Sequence, residues 1–109
     1  MATAYKVLGQ VAPAATTATT IYTVPSATEA VVSSVTVCNR AGTAGTFRLA
    51  VRPDGATLAN EHYLVYDTSL AANDTIVLTI GVTMDAADVL EAYASSGDLT
   101  FHAYGSEIS

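Results

Sequence analysis

Apolar and polar residues alternate along this chain with a period of two, and this pattern constrains the fold more than any other feature. In residues 46–52, every second side chain from Phe47 onward is apolar, while Arg48 and Arg52 lie on the opposite face. Turn residues recur every eight to twelve positions, and helical periodicity is nearly absent. This combination is typical of β-sandwiches and barrels. We therefore predict an all-β chain with helix below about one-tenth of its residues.

The pattern predicts seven or eight strands in a single antiparallel β-sandwich, which we expect to be jelly-roll-like. Residues 29–39 carry apolar groups on both faces, which favours a central strand. Its expected faces are Val31, Val35 and Val37 on one side, and Val32 and Cys38 on the other. Residues 75–82 alternate again, with four side chains expected to point inward: Ile76, Leu78, Ile80 and Val82.

A chain of 109 residues fits one domain. We expect residues 19–109 to form the sandwich, and residues 1–18 to be either an N-terminal extended arm or the first strand. The first 28 residues contain no carboxylate, and Pro13 lies in an Ala/Thr-rich link. An arm of this kind would order by docking on a partner or by strand addition to a neighbouring subunit.

The candidate protein–protein interface has two parts. Tyr5, Val7 and Leu8 are the expected anchors of the N-terminal arm, because they are its large apolar residues. Arg48 and Arg52 are added because they point outward from their strand.

The composition favours self-association. Hydrophobic residues make up 50% of the chain and charged residues only 13%, which excludes intrinsic disorder. A domain this small buries about two-thirds of its unfolded surface, so part of the apolar surplus stays outside the monomer core. Short Ala, Thr, Ser and Val side chains also lose little entropy when they are ordered at an interface. We predict a homo-oligomer, with a trimer preferred.

Charge excludes several classes of partner. The net charge is −6, and the four cations are Lys6, Arg40, Arg48 and Arg52. Nucleic-acid binding needs a basic stripe, and a polybasic membrane anchor needs a cluster of cations, so neither partner is expected. No apolar run reaches the 18 residues of a membrane span. No signal peptide is visible, which predicts synthesis in a cytoplasm without export.

The residues that carry chemistry form no catalytic pattern. Cys38, the single cysteine, is predicted to be a small buried core residue. His62 and His102 lack the spacing of a zinc site and are predicted to be surface histidines. Asp85 and Asp88 are predicted to cap a turn, in a connection that has room for one helical turn. We therefore expect no enzyme activity, catalytic residue, metal, cofactor or small-molecule substrate.

Tyrosine is the one enriched aromatic residue. The chain has six tyrosines and no tryptophan, and five tyrosines fall in predicted strands. Half-buried packing with a solvated hydroxyl is the simpler role, and a stacking platform for sugars is the alternative. The five are Tyr22, Tyr63, Tyr66, Tyr93 and Tyr104.

Five segments spread over almost the whole chain carry a family resemblance: residues 5–10 (YKVLGQ), 20–25 (TIYTVP), 35–40 (VTVCNR), 47–52 (FRLAVR) and 104–108 (YGSEI). Together they resemble small β-sandwich virion proteins of tailed bacteriophages, of the capsid decoration (cement) type. The resemblance implies a non-enzymatic protein, commonly trimeric, that binds the lattice of the major capsid protein on the outer surface of the virion and reinforces the head. The alternatives are a tail, neck, baseplate or fibre-associated component, or a carbohydrate-binding module.

Overall fold

A computed structural model describes residues 2–109. Within them, nine β-strands form two antiparallel sheets that enclose an apolar core. The five-stranded sheet has the order β1-β9-β3-β6, with β7 also paired to β3, and the four-stranded sheet has the order β2-β8-β4-β5. The strands are β1 (Thr3–Val11), β2 (Thr19–Thr23), β3 (Glu29–Asn39), β4 (Gly45–Arg52), β5 (Tyr63–Leu70), β6 (Thr75–Leu78), β7 (Val82–Met84), β8 (Val89–Ala94) and β9 (Leu99–Ile108). The predicted all-β antiparallel sandwich is confirmed, and the jelly-roll connection stays a prediction.

The strand count exceeds the predicted seven or eight because residues 75–82 are not one strand. Gly81 has φ +57, a left-handed conformation that interrupts the extended chain and separates β6 from β7. Both pieces still pair with β3. Ile80 falls in the break and is 37% exposed, so the prediction that it points inward is wrong.

The N-terminal segment pairs with the C-terminal strand of the same sheet. β1 runs antiparallel to β9 from Thr3 opposite Ile108 to Val11 opposite Phe101. The following link also stays on the domain, because the Thr16 N–H donates to the Ala94 carbonyl at 2.8 Å. Of the two forms expected for residues 1–18, this structure contains the first strand, at the edge of the sheet.

The core lies between the sheets and takes alternate side chains from their strands. Phe47 of β4 and Phe101 of β9 meet edge to face with ring centroids 6.0 Å apart. Leu49 is fully buried and Val51 packs against the margin of the core, which confirms the alternation predicted for residues 46–52. Each large apolar side chain buried in this way stabilises the fold by about 1.5–3 kcal/mol.

A β-bulge in β3 determines which of its residues face the core. The pairing with β9 shifts register between Val32 and Ser34, so the strand accommodates one extra residue there. Val32 is therefore buried together with Val35 and Val37, while Val31 is half-buried on the outer face. The predicted grouping of Val31 with Val35 and Val37 is wrong, because the alternation changes phase at the bulge.

Two other residues of the five-stranded sheet also differ from a simple alternation or constrain the bulge. Cys38 is half-buried on the outer face of the sheet, between inward-facing neighbours, so the prediction of a core cysteine is wrong. Gly105 of β9 pairs with Val32 and lies directly against the bulged backbone. A Cβ atom at this position would overlap the Val31 carbonyl oxygen and come within 2.9 Å of its carbon.

Helix is limited, within residues 2–109, to the 3₁₀ turns Pro53–Gly55 and Asn60–His62. Neither turn has the length and apolar character needed to cross a bilayer. The helical turn allowed for residues 83–88 is absent, because Ala87 adopts a left-handed φ of 72 there. The predicted cap is confirmed: the Asp88 carboxylate accepts hydrogen bonds from the Asp85 and Asp54 N–H groups at 2.8 and 2.9 Å.

Candidate functional site

The five residues of the predicted interface lie in two different sheets. Tyr5, Val7 and Leu8 belong to β1 of the five-stranded sheet, whereas Arg48 and Arg52 belong to β4 of the four-stranded sheet. The fold therefore presents two separate surfaces, one apolar and one charged.

The apolar anchors of β1 divide between the outside and the core. Tyr5 and Val7 are 86% and 49% exposed, and both face away from the sandwich. The pairing of β1 with β9 shifts register between Val7 and Gly9, and Leu8 at this shift packs against the core. Tyr5 and Val7 are thus available for contact with a partner, and Leu8 belongs to the packing of the domain.

The outward-facing side chains of the five-stranded sheet form a surface that we call the neutral face. Strand register and alternation place aliphatic, aromatic, hydroxyl and amide groups on it. Glu29 stands at its rim, and within residues 2–109 these rows contain no other carboxylate and no Lys or Arg. The neutral face consists of Tyr5, Val7, Gln10, Val31, Ser34, Thr36, Cys38, Thr75, Val77, Thr83, Thr100, His102, Tyr104 and Ser106.

The histidine of the neutral face is held by its neighbours. The Gln10 side-chain nitrogen lies 3.1 Å from Nδ1 of His102, and the His102 ring stacks on Tyr104 with centroids 6.1 Å apart. His102 therefore packs within this surface, on the opposite side of β9 from the buried Phe101.

One carboxylate joins the two sheets where their edges meet. Glu107 of β9 accepts a hydrogen bond from the Tyr22 hydroxyl of β2 and lies 2.7 Å from the Lys6 ammonium group of β1. The hydrogen bonds from Lys6 and Tyr22 hold the pKa of Glu107 below its usual value. Burial, together with the bond to Glu107, raises the pKa of the Tyr22 phenol. This arrangement neutralises Lys6 within the chain.

Stability is expected to fall on acidification, partly through Glu107. Because the folded protein binds this proton more weakly than the unfolded chain does, Glu107 stabilises the fold above the ordinary carboxyl pKa, and that contribution is lost as pH falls through the lowered pKa. Glu107→Gln is expected to destabilise the protein by about 1–2 kcal/mol at pH 7 and by less at pH 3. Urea unfolding at both pH values measures the difference, with the exposed Glu61→Gln as a matched control. Equal losses at both pH values would contradict the assignment.

The second surface is a stack of side chains on the outside of the four-stranded sheet. The Arg48 guanidinium lies between the rings of Tyr66 and Tyr93, 4.1 and 4.2 Å from their centroids. It also donates two hydrogen bonds to Asp67, at 2.6 and 3.2 Å. Arg48 thereby holds the pKa of the Asp67 carboxyl below its usual value. Tyr63 meets the Tyr66 ring edge to face at 4.8 Å.

A bulge in β5 builds this stack. The register with β4 shifts between Phe47 and Leu49, and Asp67 adopts a left-handed φ of 51 there. Consecutive residues Tyr66 and Asp67 can therefore both reach Arg48, which a regular strand would prevent by pointing them to opposite faces. Sequence reasoning placed Tyr66 and Tyr93 in strands but missed their contact with Arg48.

Arg52, the other predicted cation, is largely engaged within the chain. Its terminal nitrogen donates to the carbonyls of Gly55 and Ala56 at 3.0 and 2.8 Å. Its Nε lies 3.2 Å from the Glu91 carboxylate, although the N–H is not aligned for a hydrogen bond. At this distance the two opposite charges attract each other even though the hydrogen-bond geometry is poor. Arg52 and Glu91 therefore form an ion pair without a well-aligned hydrogen bond. Arg52 supports the turn after β4.

Concave features are shallow. One depression on the neutral face is lined by Tyr5, Val7, Val31 and Tyr104, and another at the rim by Glu29 and Asp85. Within residues 2–109, no three His, Cys, Asp or Glu side chains come together in a group that could hold a metal ion.

No model of a known protein family matches the chain. No curated protein matches its sequence either.

Proposed function

We propose that the chain is a non-enzymatic structural protein of a tailed-phage virion, of the capsid decoration type. In this role it binds the outer lattice of the major capsid protein on the surface of the head. The proposal rests on the family resemblance of the five sequence segments and on one structural observation, the neutral face. Small antiparallel sandwiches serve many functions, so the fold alone carries no weight here.

The neutral face suits permanent docking. Burying an unpaired charge costs several kcal/mol, and within residues 2–109 the strand rows of this surface carry no charge except Glu29, which lies near Asp85 at the rim. Its many Thr, Ser and Val side chains lose little rotamer freedom on binding. Val77 and Tyr5 are 60% and 86% exposed, so apolar area remains for a partner to cover. The charges of this −6 chain are therefore directed elsewhere, toward solvent.

Particles of the phage that encodes the chain provide the test. A cryo-electron microscopy map, with mass spectrometry of the purified particles, is expected to locate the protein on the outside of the head with its neutral face against the major capsid protein. Density on the tail, neck, baseplate or fibres would favour the alternative virion role. Absence of the protein from particles would overturn the proposal.

Charge placed on the neutral face provides a sharper test in solution. Val77→Glu is expected to weaken binding to heads stripped of this protein by at least about tenfold, because a carboxylate would be buried there. Leu64→Glu is the matched control, since Leu64 is 48% exposed on the other sheet. Binding is measured by co-sedimentation. Equal effects of the two variants would argue against the neutral face as the contact.

The tyrosine stack supports a second candidate, a glycan-binding module. Tyr66 is 57% exposed, and Asp67 and Arg48 supply polar groups beside its ring. Sugar rings stack on aromatic faces, while hydroxyls bond to such polar groups. Saturation-transfer NMR with hexoses tests it: transfer lost in Tyr66→Ala would support this role, and no transfer to the wild-type chain would exclude these sugars.

A further inference from the structure

The two sheets have four edges within the described residues, and three of them are poor templates for strand addition. β2 has five residues and a register shift around Ile21. β5 is bulged at Asp67, and β6 and β7 are short and separated by Gly81. By contrast, residues 3–7 of β1 run in unbroken register along β9. Short, bulged edges resist pairing, whereas a regular one invites it.

Hydrogen bonding shows which backbone groups of β1 face the open side. Ala2 and Ser109 exchange both of their backbone hydrogen bonds, at 2.7 and 2.9 Å, which makes them a hydrogen-bonded pair of the β1–β9 ladder. Such pairs alternate along an antiparallel ladder, so Ala4 and Lys6 also face β9. The N–H and C=O groups of the intervening residues therefore face the open edge; these are Thr3, Tyr5 and Val7.

The side chains of the same segment are suited to contact. Tyr5 is 86% exposed and Val7 is 49% exposed, and both lie on the neutral face. Lys6, on the opposite face, is paired with Glu107 at 2.7 Å. An inward-pointing lysine on an edge strand usually prevents another strand from pairing with it. Here the charge of Lys6 is already neutralised by Glu107 of the same chain, so this protection is weakened.

We propose that β1 pairs antiparallel with β1 of a second copy of this chain, about a two-fold axis at Tyr5. Tyr5 then lies opposite its counterpart, and Thr3 lies opposite Val7 in both directions. Each pair exchanges two backbone hydrogen bonds. The two five-stranded sheets become one continuous sheet, and the paired Tyr5 rings lie side by side on a joined neutral face.

A second copy is the occupant that the charges favour. Two molecules of charge −6 repel each other, so a surface without uncompensated carboxylates is where their association costs least. The edge residues 3–7 satisfy this condition, and they offer no charge complementarity to a basic or acidic partner. A two-fold axis also pairs each open N–H group of the segment with an open C=O group of the same segment in the second copy, as an isologous contact requires.

This two-fold contact occupies the β1 edge of both copies, so it forms a dimer and adds no third subunit. A trimer, which the family resemblance implies, needs a different, head-to-tail contact. The inference is independent of the virion role, because it concerns the free protein and stands whether or not the chain binds a capsid.

Analytical ultracentrifugation and amide hydrogen exchange of the intact chain test the pairing. The wild-type chain is expected to form dimers, in which the Tyr5 and Val7 amides become protected as concentration rises. Tyr5→Lys is expected to weaken the dimer at least about tenfold, because it removes the tyrosine pair and places like charges opposite each other. Val77→Lys is the control, since Val77 is 60% exposed on the same face but distant in register from β1.

Both variants are expected to fold, because each side chain is mostly exposed. A chain that stays monomeric up to millimolar concentration would overturn the proposal. So would a dimer or trimer in which the Tyr5 and Val7 amides exchange as freely as in the monomer. Weakening by Val77→Lys but not by Tyr5→Lys would also overturn it and transfer the contact to the centre of the neutral face.

Discussion

Gly105→Ala is expected to destabilise the protein by about 3 kcal/mol or more, and in practice to prevent folding of a domain this small. The added Cβ atom would overlap the Val31 carbonyl oxygen, lie 2.9 Å from its carbon and 3.1 Å from the Val32 Cα. All three atoms are backbone, so no side chain can rotate to make room. Relief requires the β3 bulge to move, together with the buried Val32 beside it.

Urea unfolding followed by circular dichroism measures this effect. Gly97→Ala is the matched control, because Gly97 is exposed and a Cβ there would meet nothing within 4 Å. The control is expected to change stability by less than about 1 kcal/mol. A Gly105→Ala protein as stable as that control would show that the bulge is not locked by the glycine.

Asn39 is the second position where a large effect is expected. Its side chain is almost completely buried at the end of β3, with an exposed fraction of 1%. Nδ2 lies 2.9, 3.3 and 3.2 Å from the carbonyl oxygens of Thr43, Leu70 and Ala71, and Oδ1 accepts the Ala41 N–H at 3.0 Å. One amide therefore ties the β3–β4 hairpin loop to the turn after β5.

Asn39→Asp is expected to cost about 3–5 kcal/mol at pH 7, because the acid must either place a carboxylate among three carbonyl oxygens or take up a proton in order to fold. The buried acid would keep its proton in the folded state, so its pKa would rise above that of the unfolded chain. The loss of stability should therefore grow as pH increases from 4 to 7. Asn39→Ala, which leaves the same groups unpaired without a charge, should cost about 2–4 kcal/mol.

Chemical denaturation at pH 4 and pH 7 measures both variants. Asn60→Asp is the control, since Asn60 is exposed in a 3₁₀ turn and should change stability little. An Asn39→Asp protein whose deficit is independent of pH, or no larger than that of Asn60→Asp, would refute the role assigned to the amide.

The fold class follows from the sequence because side-chain alternation depends directly on strand geometry. Phe47 and Leu49 are buried as their alternation predicts. Two errors occur where the backbone leaves the regular strand: Val31 lies beside the bulge of β3, and Ile80 lies at the break before Gly81. Cys38 is in regular register with Thr100, and its error comes from the expectation that an apolar strand is buried on both faces. A bulge changes the phase of a strand without a distinctive residue pattern, so periodicity alone cannot locate it.

The exposed residues of β1 could be predicted from the sequence, whereas the Arg48 cluster could not. Tyr5 and Val7 could be singled out, because large apolar residues stand out in a segment otherwise rich in Ala and Thr. The contact of Arg48 with Tyr66, Tyr93 and Asp67 could not, because it depends on strand order and on the left-handed Asp67. The sequence gives only a weak indication of the structural role of Asn39. It is a polar residue that ends a valine-rich strand just before a glycine-containing loop.

The position of β9 between β1 and β3 has a consequence for biosynthesis. During translation, β1 and β3 leave the ribosome long before the strand that must insert between them. The five-stranded sheet can therefore assemble only after residues 99–108 have emerged, and until then β3 exposes an unpaired, valine-rich edge. Closing such long chain segments is slow, typically milliseconds to seconds for sheet proteins. The nascent chain thus passes through a period in which the unpaired edge of β3 allows aggregation to compete with folding.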